Sequence, residues 1–268
     1  MPFLSNLRTY WQSEAGPREV LRMALPLVLS TCSLTLQVFI DRVFLAWYSE
    51  AAIAAAIPTV CVLWLVQGPL WGIVGFANTF VAQYRGAGRY RRIGPAVGQA
   101  LLVALAGGMA VFVLLPFSRT IFGLIGHGAE VAEMEAVYFD TLVFSTMPML
   151  PMTAASGFFG GLGRTWVVFA INAAASAVNI VLDYAMIFGH WGFPEWGIAG
   201  AGWATAIAYV VGAALAIVLV YVADERGQYG VRVAIAADAN DSTSTSATPF
   251  ADSGRATRTP YCPRSSAT

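Results

Sequence analysis

Six long apolar runs, separated by short spacers, dominate the chain. They lie near residues 23–47, 52–80, 96–117, 136–159, 165–189 and 198–222. Each run is long enough to cross about 30 Å of hydrocarbon as an α-helix, which takes roughly 20 residues. The spacers hold glycine, proline and charged residues, which are typical of turns between helices. The pattern therefore predicts an all-α integral membrane protein, a bundle of six transmembrane helices.

Composition excludes two broad classes of protein. Hydrophobic residues make up 57% of the 268 residues and charged residues only 11%, which is too little polar surface to cover a water-soluble domain. The fifteen basic residues are all arginine, and fifteen carboxylates balance them to a net charge of zero. Because there is no basic excess, we expect no nucleic-acid binding. The expected surroundings are membrane lipids.

The placement of arginine predicts the orientation of the bundle. Short cytoplasmic loops retain positive charge, and arginines precede the first run, join the second to the third and join the fourth to the fifth. The sequence therefore predicts a multi-pass protein of the cell (inner) membrane with its N-terminus in the cytoplasm.

The same reasoning divides the chain into three parts. Residues 1–22 form the predicted cytoplasmic segment and residues 23–228 the six-helix lobe. Residues 229–268 form a tail of low complexity, rich in serine, threonine, alanine and aspartate, which is expected to be disordered. We interpret this tail as the product of a truncation or a frameshift.

Two carboxylates inside the apolar runs are the main candidates for chemistry. An aspartate at membrane depth costs about 2.5–3.5 kcal/mol, so its presence indicates a function. Asp41 in the first run and Asp183 in the fifth each lie about 8–9 Å from the outer end of their predicted helix, at 1.5 Å per residue. Thr205 in the sixth run lies roughly 10 Å from the same side. Three helices therefore offer oxygen atoms at one depth.

Polar residues at helical spacing extend this layer along two of the runs. Asn172, Asn179 and Asp183 share one face of the fifth run, because they are seven and four residues apart. Ser30, Ser33, Gln37 and Asp41 are spaced by three, four and four residues along the first run. Such stripes belong against protein or a water-filled cavity, because lipid would leave their hydrogen-bonding groups unsatisfied. The candidate cavity-lining residues are Ser33, Gln37, Asn172 and Tyr209.

A buried Asp41/Asp183 pair is suited to coupling transport to a cation. Burial disfavours the charged form of a carboxylate, and a second carboxylate nearby disfavours it further, so the pair is expected to hold a proton or recruit a cation. Asn179 and Thr205 would add neutral oxygens of the kind that bind a small cation such as sodium. Two plainer interpretations remain open: a structural hydrogen bond for Asp183, and an ion pair with Arg42 or an interfacial position for Asp41.

Several motifs in this order resemble the multidrug and toxic compound extrusion (MATE) family of secondary transporters. The matching pieces cover about residues 15 to 228 and begin with Pro26 and Asp41. They continue with Gln83-Tyr84-Arg85-Gly86-Ala87-Gly88, Gly161-Leu162-Gly163-Arg164-Thr165, Asn172, Asn179-Ile180-Val181-Leu182-Asp183-Tyr184 and Gly200-Ala201-Gly202-Trp203-Ala204-Thr205.

The resemblance implies export of organic, often cationic compounds in exchange for protons or sodium, with no other cofactor. It assigns Asp41, Asn179, Asp183 and Thr205 to a cation-coupling site in the N-terminal lobe. It also implies twelve helices in two lobes around a central cavity, of which this chain holds one. A transporting protein would then need a second copy of the chain or the missing C-terminal lobe.

Three other functions are weighed against export. A protease with two intramembrane aspartates would need a Gly-x-Gly-Asp motif, which neither aspartate has, and the chain holds no zinc or nucleotide motif. We therefore expect no enzyme activity. A truncated remnant without transport activity is the second alternative. The third is a flippase for lipid-linked sugars from the same superfamily, which would place more cationic residues around its cavity.

Overall fold

The computed structural model describes the backbone of residues 17–224 and 227–231, and side chains from residue 20 onward within those ranges. Seven α-helices follow one another along this part of the chain. They are α1 (Pro17–Tyr48), α2 (Glu50–Gly86), α3 (Ile93–Val111), α4 (Ser118–Ile125), α5 (Ala129–Gly161), α6 (Thr165–Phe188) and α7 (Ile198–Ala223). Two 3-10 segments, Tyr90–Arg92 and Phe112–Phe117, flank α3.

Six segments are long and apolar enough to cross a membrane, as the sequence predicts. The helices α1, α2, α5, α6 and α7 each form one span. The third predicted run is broken by the 3-10 segment, so α3 and α4 together with their flanking turns make up a single span, Tyr90–Ile125. Pro116 lies inside that segment and removes a backbone donor there. The all-α, six-span fold is therefore confirmed.

Two boundaries differ from those expected from the sequence. The first helix begins at Pro17 rather than at residue 23. The length of an apolar run locates only the part of a helix that crosses the hydrocarbon, and this helix extends beyond that part at its polar N-terminal end. At the other end, Tyr229 and Val231 are buried against the lobe, although the sequence placed them in the disordered tail. The carboxylate of Asp224 accepts hydrogen bonds from their backbone nitrogens at 2.8 and 2.7 Å. Residues 232–268 of the predicted tail lie outside the described residues.

Helix α5 is the centre of the lobe. Its most apolar stretch is 72% buried, against 17–33% for the other five spans. It packs against α2, α3, α4 and α7, while α1 packs mainly on α6 and α2. The other helices turn large apolar side chains outward, which suits contact with lipid tails.

Small residues let the helices approach closely. A Cβ atom added to Gly202 of α7 would lie 2.5 Å from Cβ of Thr141 on α5, and one added to Gly161 of α5 would lie 2.6 Å from the carbonyl oxygen of Asn78 on α2. Only glycine fits at such crossings, which are a common way to pack helices in membranes.

The turns between spans are set by local residues. Ser49 caps α2 by accepting a hydrogen bond of 3.0 Å from the nitrogen of Ala52, which satisfies one of the free donors at the helix start. Gly189 ends α6 in the left-handed conformation with φ of 71°, which favours glycine. The chain turns there into the connection to α7, which packs against α6.

Candidate functional site

A buried polar cluster joins α6 to α7. Asn179 and Asp183 lie one turn apart on α6 and are 1% and 0% exposed. The amide nitrogen of Asn179 donates to Oδ2 of Asp183 at 3.0 Å, and its amide oxygen lies 3.3 Å from the backbone nitrogen and 3.2 Å from Oγ1 of Thr205 on α7. Thr205 also donates to the carbonyl oxygen of Ala201 at 3.0 Å. One amide therefore contacts both a carboxylate and a hydroxyl from two helices.

The cluster continues to α1 through Gln37. Oγ of Ser176, on the same face of α6, donates to Oε1 of Gln37 at 2.8 Å. The Gln37 amide nitrogen lies 3.0 Å from the amide of Asn179. Polar groups from α1, α6 and α7 thus form one contiguous network, which supplies partners where lipid would supply none.

Asp41 on α1 lies next to this network and is 7% exposed. Its Oδ2 atom is 3.1 Å from Nη1 of Arg42, so the ion pair considered as one plainer interpretation is present. Its other oxygen, Oδ1, is buried and has no hydrogen-bond partner among the described residues. Nη1 of Arg42 also lies 3.5 Å from the hydroxyl of the buried Tyr138, and its guanidinium carbon lies 6.0 Å from the ring centroid. Asp41 therefore carries one compensated oxygen and one available oxygen.

A cavity of about 220 Å³ lies against these residues. Its polar lining comes from α1, α2, α5, α6 and α7, and Val38, Val60, Leu63, Trp64, Leu142 and Met149 supply the apolar part. The polar lining residues are Gln37, Asp41, Arg42, Gln67, Tyr138, Ser145, Asn179, Thr205 and Tyr209.

Asp183 contacts Asn179, which lines the same cavity as the Asp41–Arg42 ion pair. Two like charges in a site of low polarity cannot both be stable without compensation. One arginine, a proton or a bound cation can supply it. No group of three or more histidine, cysteine, aspartate or glutamate side chains gathers within the described ranges, so a cation here would take carboxylate, amide and hydroxyl oxygens together.

The structure brings most of the candidates together. Asp41, Asn179 and Thr205 line the cavity, as do Gln37 and Tyr209, whereas Asp183 lies behind Asn179 and outside the lining. Ser33 and Asn172 are not in the lining either. Ser33 donates to the carbonyl oxygen of Leu29 at 3.0 Å, and Asn172 lies two turns from Asn179, about 10 Å along α6 at the rise of an α-helix.

Sequence reasoning did not assign Ser145, Ser176, Gln67 or Tyr138 to the site. Ser176 was detectable, because it lies on the Asn179 face at a spacing of three residues. Gln67 lies in the cavity lining, and its amide donates to Oγ1 of Thr146 at 2.9 Å. Arg42 was considered as the ion-pair partner of Asp41, whereas Tyr138 carries no such signal because it comes from a helix far along the chain.

Comparisons with known proteins agree with this architecture. The MatE family model matches residues 26–185. The chain is 28% identical over 232 residues to a probable multidrug resistance protein NorM of Thermotoga maritima, covering 85% of this chain and 49% of that protein. It is 30% identical over 194 residues to a probable multidrug resistance protein NorM of Bacillus subtilis, covering 72% and 43%.

Solved structures show the same fold. An outward-facing multidrug resistance MATE family transporter of the MOP superfamily aligns with a TM-score of 0.71 at 20% identity, covering 77% of this chain and 45% of that one. A crystal structure of a MATE P26A mutant aligns with a TM-score of 0.72 at 18% identity, covering 81% and 48%. The chain spans about half the length of the relatives it matches.

Proposed function

Because this chain belongs to the MatE family of transporter proteins, we propose that it is one lobe of a secondary active transporter that exports organic, often cationic compounds in exchange for protons or sodium. The observation that carries the proposal is the network of Asp183, Asn179 and Thr205 beside Asp41, at the wall of a cavity inside a membrane-spanning bundle. Intramembrane carboxylates of this kind mark ion and proton pathways in transporters.

The contact between Asn179 and Asp183 suits a group that gains and loses a proton. An amide nitrogen donates to an ionised carboxylate, and an amide oxygen accepts from a protonated one. The 3.0 Å distance therefore supports both states after a half-turn of the Asn179 side chain. Asp183 is the proposed proton carrier, and Asn179 is the residue that stabilises either form.

The alternative coupling ion, sodium, would be held by the oxygens of Asp41, Asn179, Asp183 and Thr205. These are hard oxygen donors of the type that small cations prefer. The buried Oδ1 of Asp41, without a hydrogen-bond partner among the described residues, supports this choice because a cation would satisfy it. Arg42 supplies one positive charge beside the two carboxylates, and bound sodium would supply a second.

Coupling requires that the ion and the exported compound favour different conformations. A ligand shifts a conformational equilibrium only through its different affinities for the two states. In the proposed cycle, protonation or cation binding at Asp41 and Asp183 stabilises one state, and the organic compound binds the other through the apolar part of the cavity. The small organic substrates and the cation are thus the proposed ligands of this lobe.

The opposite wall of the cavity would come from a second lobe. The matched relatives are about twice as long as the matching part of this chain. We propose that either a second copy of the chain or a C-terminal lobe faces this one.

The proposed orientation places the arginine-rich end of the lobe on the cytoplasmic side of the inner membrane. In the described residues that end holds Arg22, the Arg85–Arg92 loop and Arg164. The opposite end holds Glu50, Glu195 and, at the start of α5, Glu130 and Glu133. The asymmetry follows the rule that positive charge is retained inside.

Two alternatives are tested against this proposal. A remnant that does not transport would leave the polar wall without a function, and its membrane abundance would be low. A flippase for lipid-linked sugars would require several cationic groups around the cavity, whereas Arg42 is the lone arginine in the described lining and already faces Asp41. This lining favours the cation-coupled exporter over the flippase.

The decisive variant is Asp183→Asn, which keeps the shape of the side chain and removes its proton-carrying group. In efflux-deficient cells that express the chain, we expect export of a fluorescent organic cation to be lost while membrane abundance stays unchanged. Glu130→Gln, which removes an exposed carboxylate at the start of α5, is the matched control and should export normally. Unchanged export in Asp183→Asn would contradict the proposal.

The intact mass of the natively expressed membrane protein decides how that experiment is read. A mass near 28.5 kDa would mean a half-size chain, and crosslinking would then show whether it associates with a second copy or a separate lobe. Roughly double that mass would mean that the coupling site belongs to an ordinary two-lobe exporter. Absence of export by the unmodified chain, with no association of copies, would favour the remnant.

A further inference from the structure

A second cavity lies at the arginine-rich end of the lobe and shares no lining residue with the cavity of the coupling site. It is open on one side and has a volume of about 690 Å³. Its lining comes from the start of α1, the end of α2 and the turn into α6. The lining residues are Arg22, Met23, Arg85, Leu162, Gly163, Arg164, Thr165, Trp166 and Val167.

Three arginines from three separate segments face this cavity, and its lining holds no carboxylate. The ion pairs formed within the described part of the chain involve Arg42, Arg119 and His127 instead. Arg22, Arg85 and Arg164 therefore concentrate positive charge that no described acidic side chain neutralises. Guanidinium groups bind phosphate oxygens through several parallel hydrogen bonds. The three arginine side chains are therefore suited to bind a phosphate group.

Arg85 is held in place by the backbone on the far side of the cavity. Its Nη1 atom donates to the carbonyl oxygen of Leu162. An added Cβ on Gly163 would lie 3.2 Å from the same atom, and Gly163 has φ of +69°, so this position favours glycine in both respects. The loop thus fixes one arginine while leaving its remaining donors for a ligand, which lowers the entropy cost of binding.

Apolar side chains beside the arginines indicate a ligand with a hydrocarbon part. Trp166 is 51% exposed and Met23 38% exposed, and both lie at the end of a membrane span next to the charged groups. Tryptophan at this level is typical of the interface between head groups and acyl chains. A free phosphate ion would leave these two side chains without a role.

We propose that this cavity binds the phosphate head group of an anionic phospholipid, with the acyl chains lying along Met23 and Trp166. Basic pockets at the ends of transmembrane helices recognise anionic head groups in this way. The binding ties α1, α2 and α6 together at one end of the lobe. This site does not depend on the proposed export function, because none of its residues belongs to the coupling cluster.

The test is native mass spectrometry of the full chain in detergent, titrated with phosphatidylglycerol or with phosphatidylcholine of the same acyl chains. We expect phosphatidylglycerol to bind at least about fivefold more tightly. Each of Arg22→Gln, Arg85→Gln and Arg164→Gln should weaken phosphatidylglycerol about fivefold, the equivalent of about 1 kcal/mol per arginine near a membrane surface. Arg89→Gln removes the same charge from the same end of the lobe but outside the lining, and should leave binding unchanged.

Inorganic phosphate at millimolar concentration serves as the competitor that distinguishes a site for a phospholipid head group from a site for free phosphate. Failure of phosphate to displace phosphatidylglycerol supports a lipid site, whereas full displacement would assign the cavity to free phosphate and overturn the proposal. Equal binding of the two lipids, or equal loss in Arg89→Gln and Arg164→Gln, would also overturn it. Arg164 is exposed, so its variant is expected to fold even if Arg85→Gln does not.

Discussion

Asp41 and Arg42 are neighbours in the chain and form an ion pair of 3.1 Å at the cavity wall. Adjacent residues on a helix normally point about 100° apart and do not face each other. Both side chains must therefore turn into the cavity, where Tyr138 from α5 meets the guanidinium group. The pair is thus held by packing around the cavity, with side-chain exposures of 10% for Asp41 and 21% for Arg42.

Breaking this pair from one side should cost more than removing it. We expect Arg42→Gln to lower the thermal stability of the detergent-solubilised chain, because it leaves a buried carboxylate without its cation. Adding Asp41→Asn should recover part of the loss, with a coupling energy of about 0.5–3 kcal/mol in a double-mutant cycle. Strict additivity of the two single variants in thermal unfolding would contradict the pairing.

Thr205 should contribute through its hydroxyl rather than through its size. Thr205→Val keeps the shape but leaves the Asn179 amide without its 3.2 Å partner, so we expect a loss of about 1–2 kcal/mol. Thr205→Ser retains the hydroxyl and should stay within about 0.5 kcal/mol of the original chain. Thermal unfolding followed by tryptophan fluorescence compares the two, and equal effects would show that the hydroxyl does not matter.

The contact between α7 and α5 leaves no room at Gly202. Gly202→Ala would drive a methyl group into Thr141, and we expect a loss of about 1–3 kcal/mol from overpacking. Gly72→Ala is the matched control, because an added Cβ there meets no atom within 4 Å. Since alanine favours a helix more than glycine does, Gly72→Ala should be neutral or stabilising in the same unfolding assay. A stable Gly202→Ala variant would mean that the two helices can separate easily.

A buried carboxylate near the start of α5 depends on a histidine. Oε1 of Glu135, whose side chain is 0% exposed, lies 2.7 Å from Nδ1 of His127, and its Oε2 has no hydrogen-bond partner in the described part of the chain. We expect His127→Ala to cost about 1–3 kcal/mol, because it leaves both oxygens buried without a described partner.

The control for His127→Ala is the nearby pair of Arg119 and Glu133, which are 75% and 56% exposed. Glu133→Gln breaks an ion pair of 2.8 Å, yet exposed pairs contribute only about 0–1 kcal/mol. Thermal unfolding at low and high salt should show a small change that salt removes. An equal cost for the two variants would contradict the distinction between the buried and the exposed pair.

Much of the fold and part of the site follow from local pattern. Six apolar runs become six spans because each run alone can satisfy its backbone hydrogen bonds as a helix and bury its side chains in lipid. Asn179 and Asp183 lie on one face because helical periodicity requires it, and Thr205 could be placed at their depth by counting residues from the helix ends. Each of these features depends only on residues that lie close together in the sequence.

The remaining features depend on how the helices pack. Arg42 turns into the cavity only because Tyr138 meets it there, and Ser33 lies outside the lining although it shares a stripe with Gln37. Tyr229 and Val231 pack on the lobe because the Asp224 carboxylate accepts hydrogen bonds from their backbone nitrogens. Composition alone does not show these contacts. The sequence by itself determined the number of spans, their polar faces and the depth of the carboxylates, because these follow from local periodicity. Only the tertiary structure decided which of those polar groups meet, because helix rotation and side-chain direction depend on contacts between residues far apart in the chain.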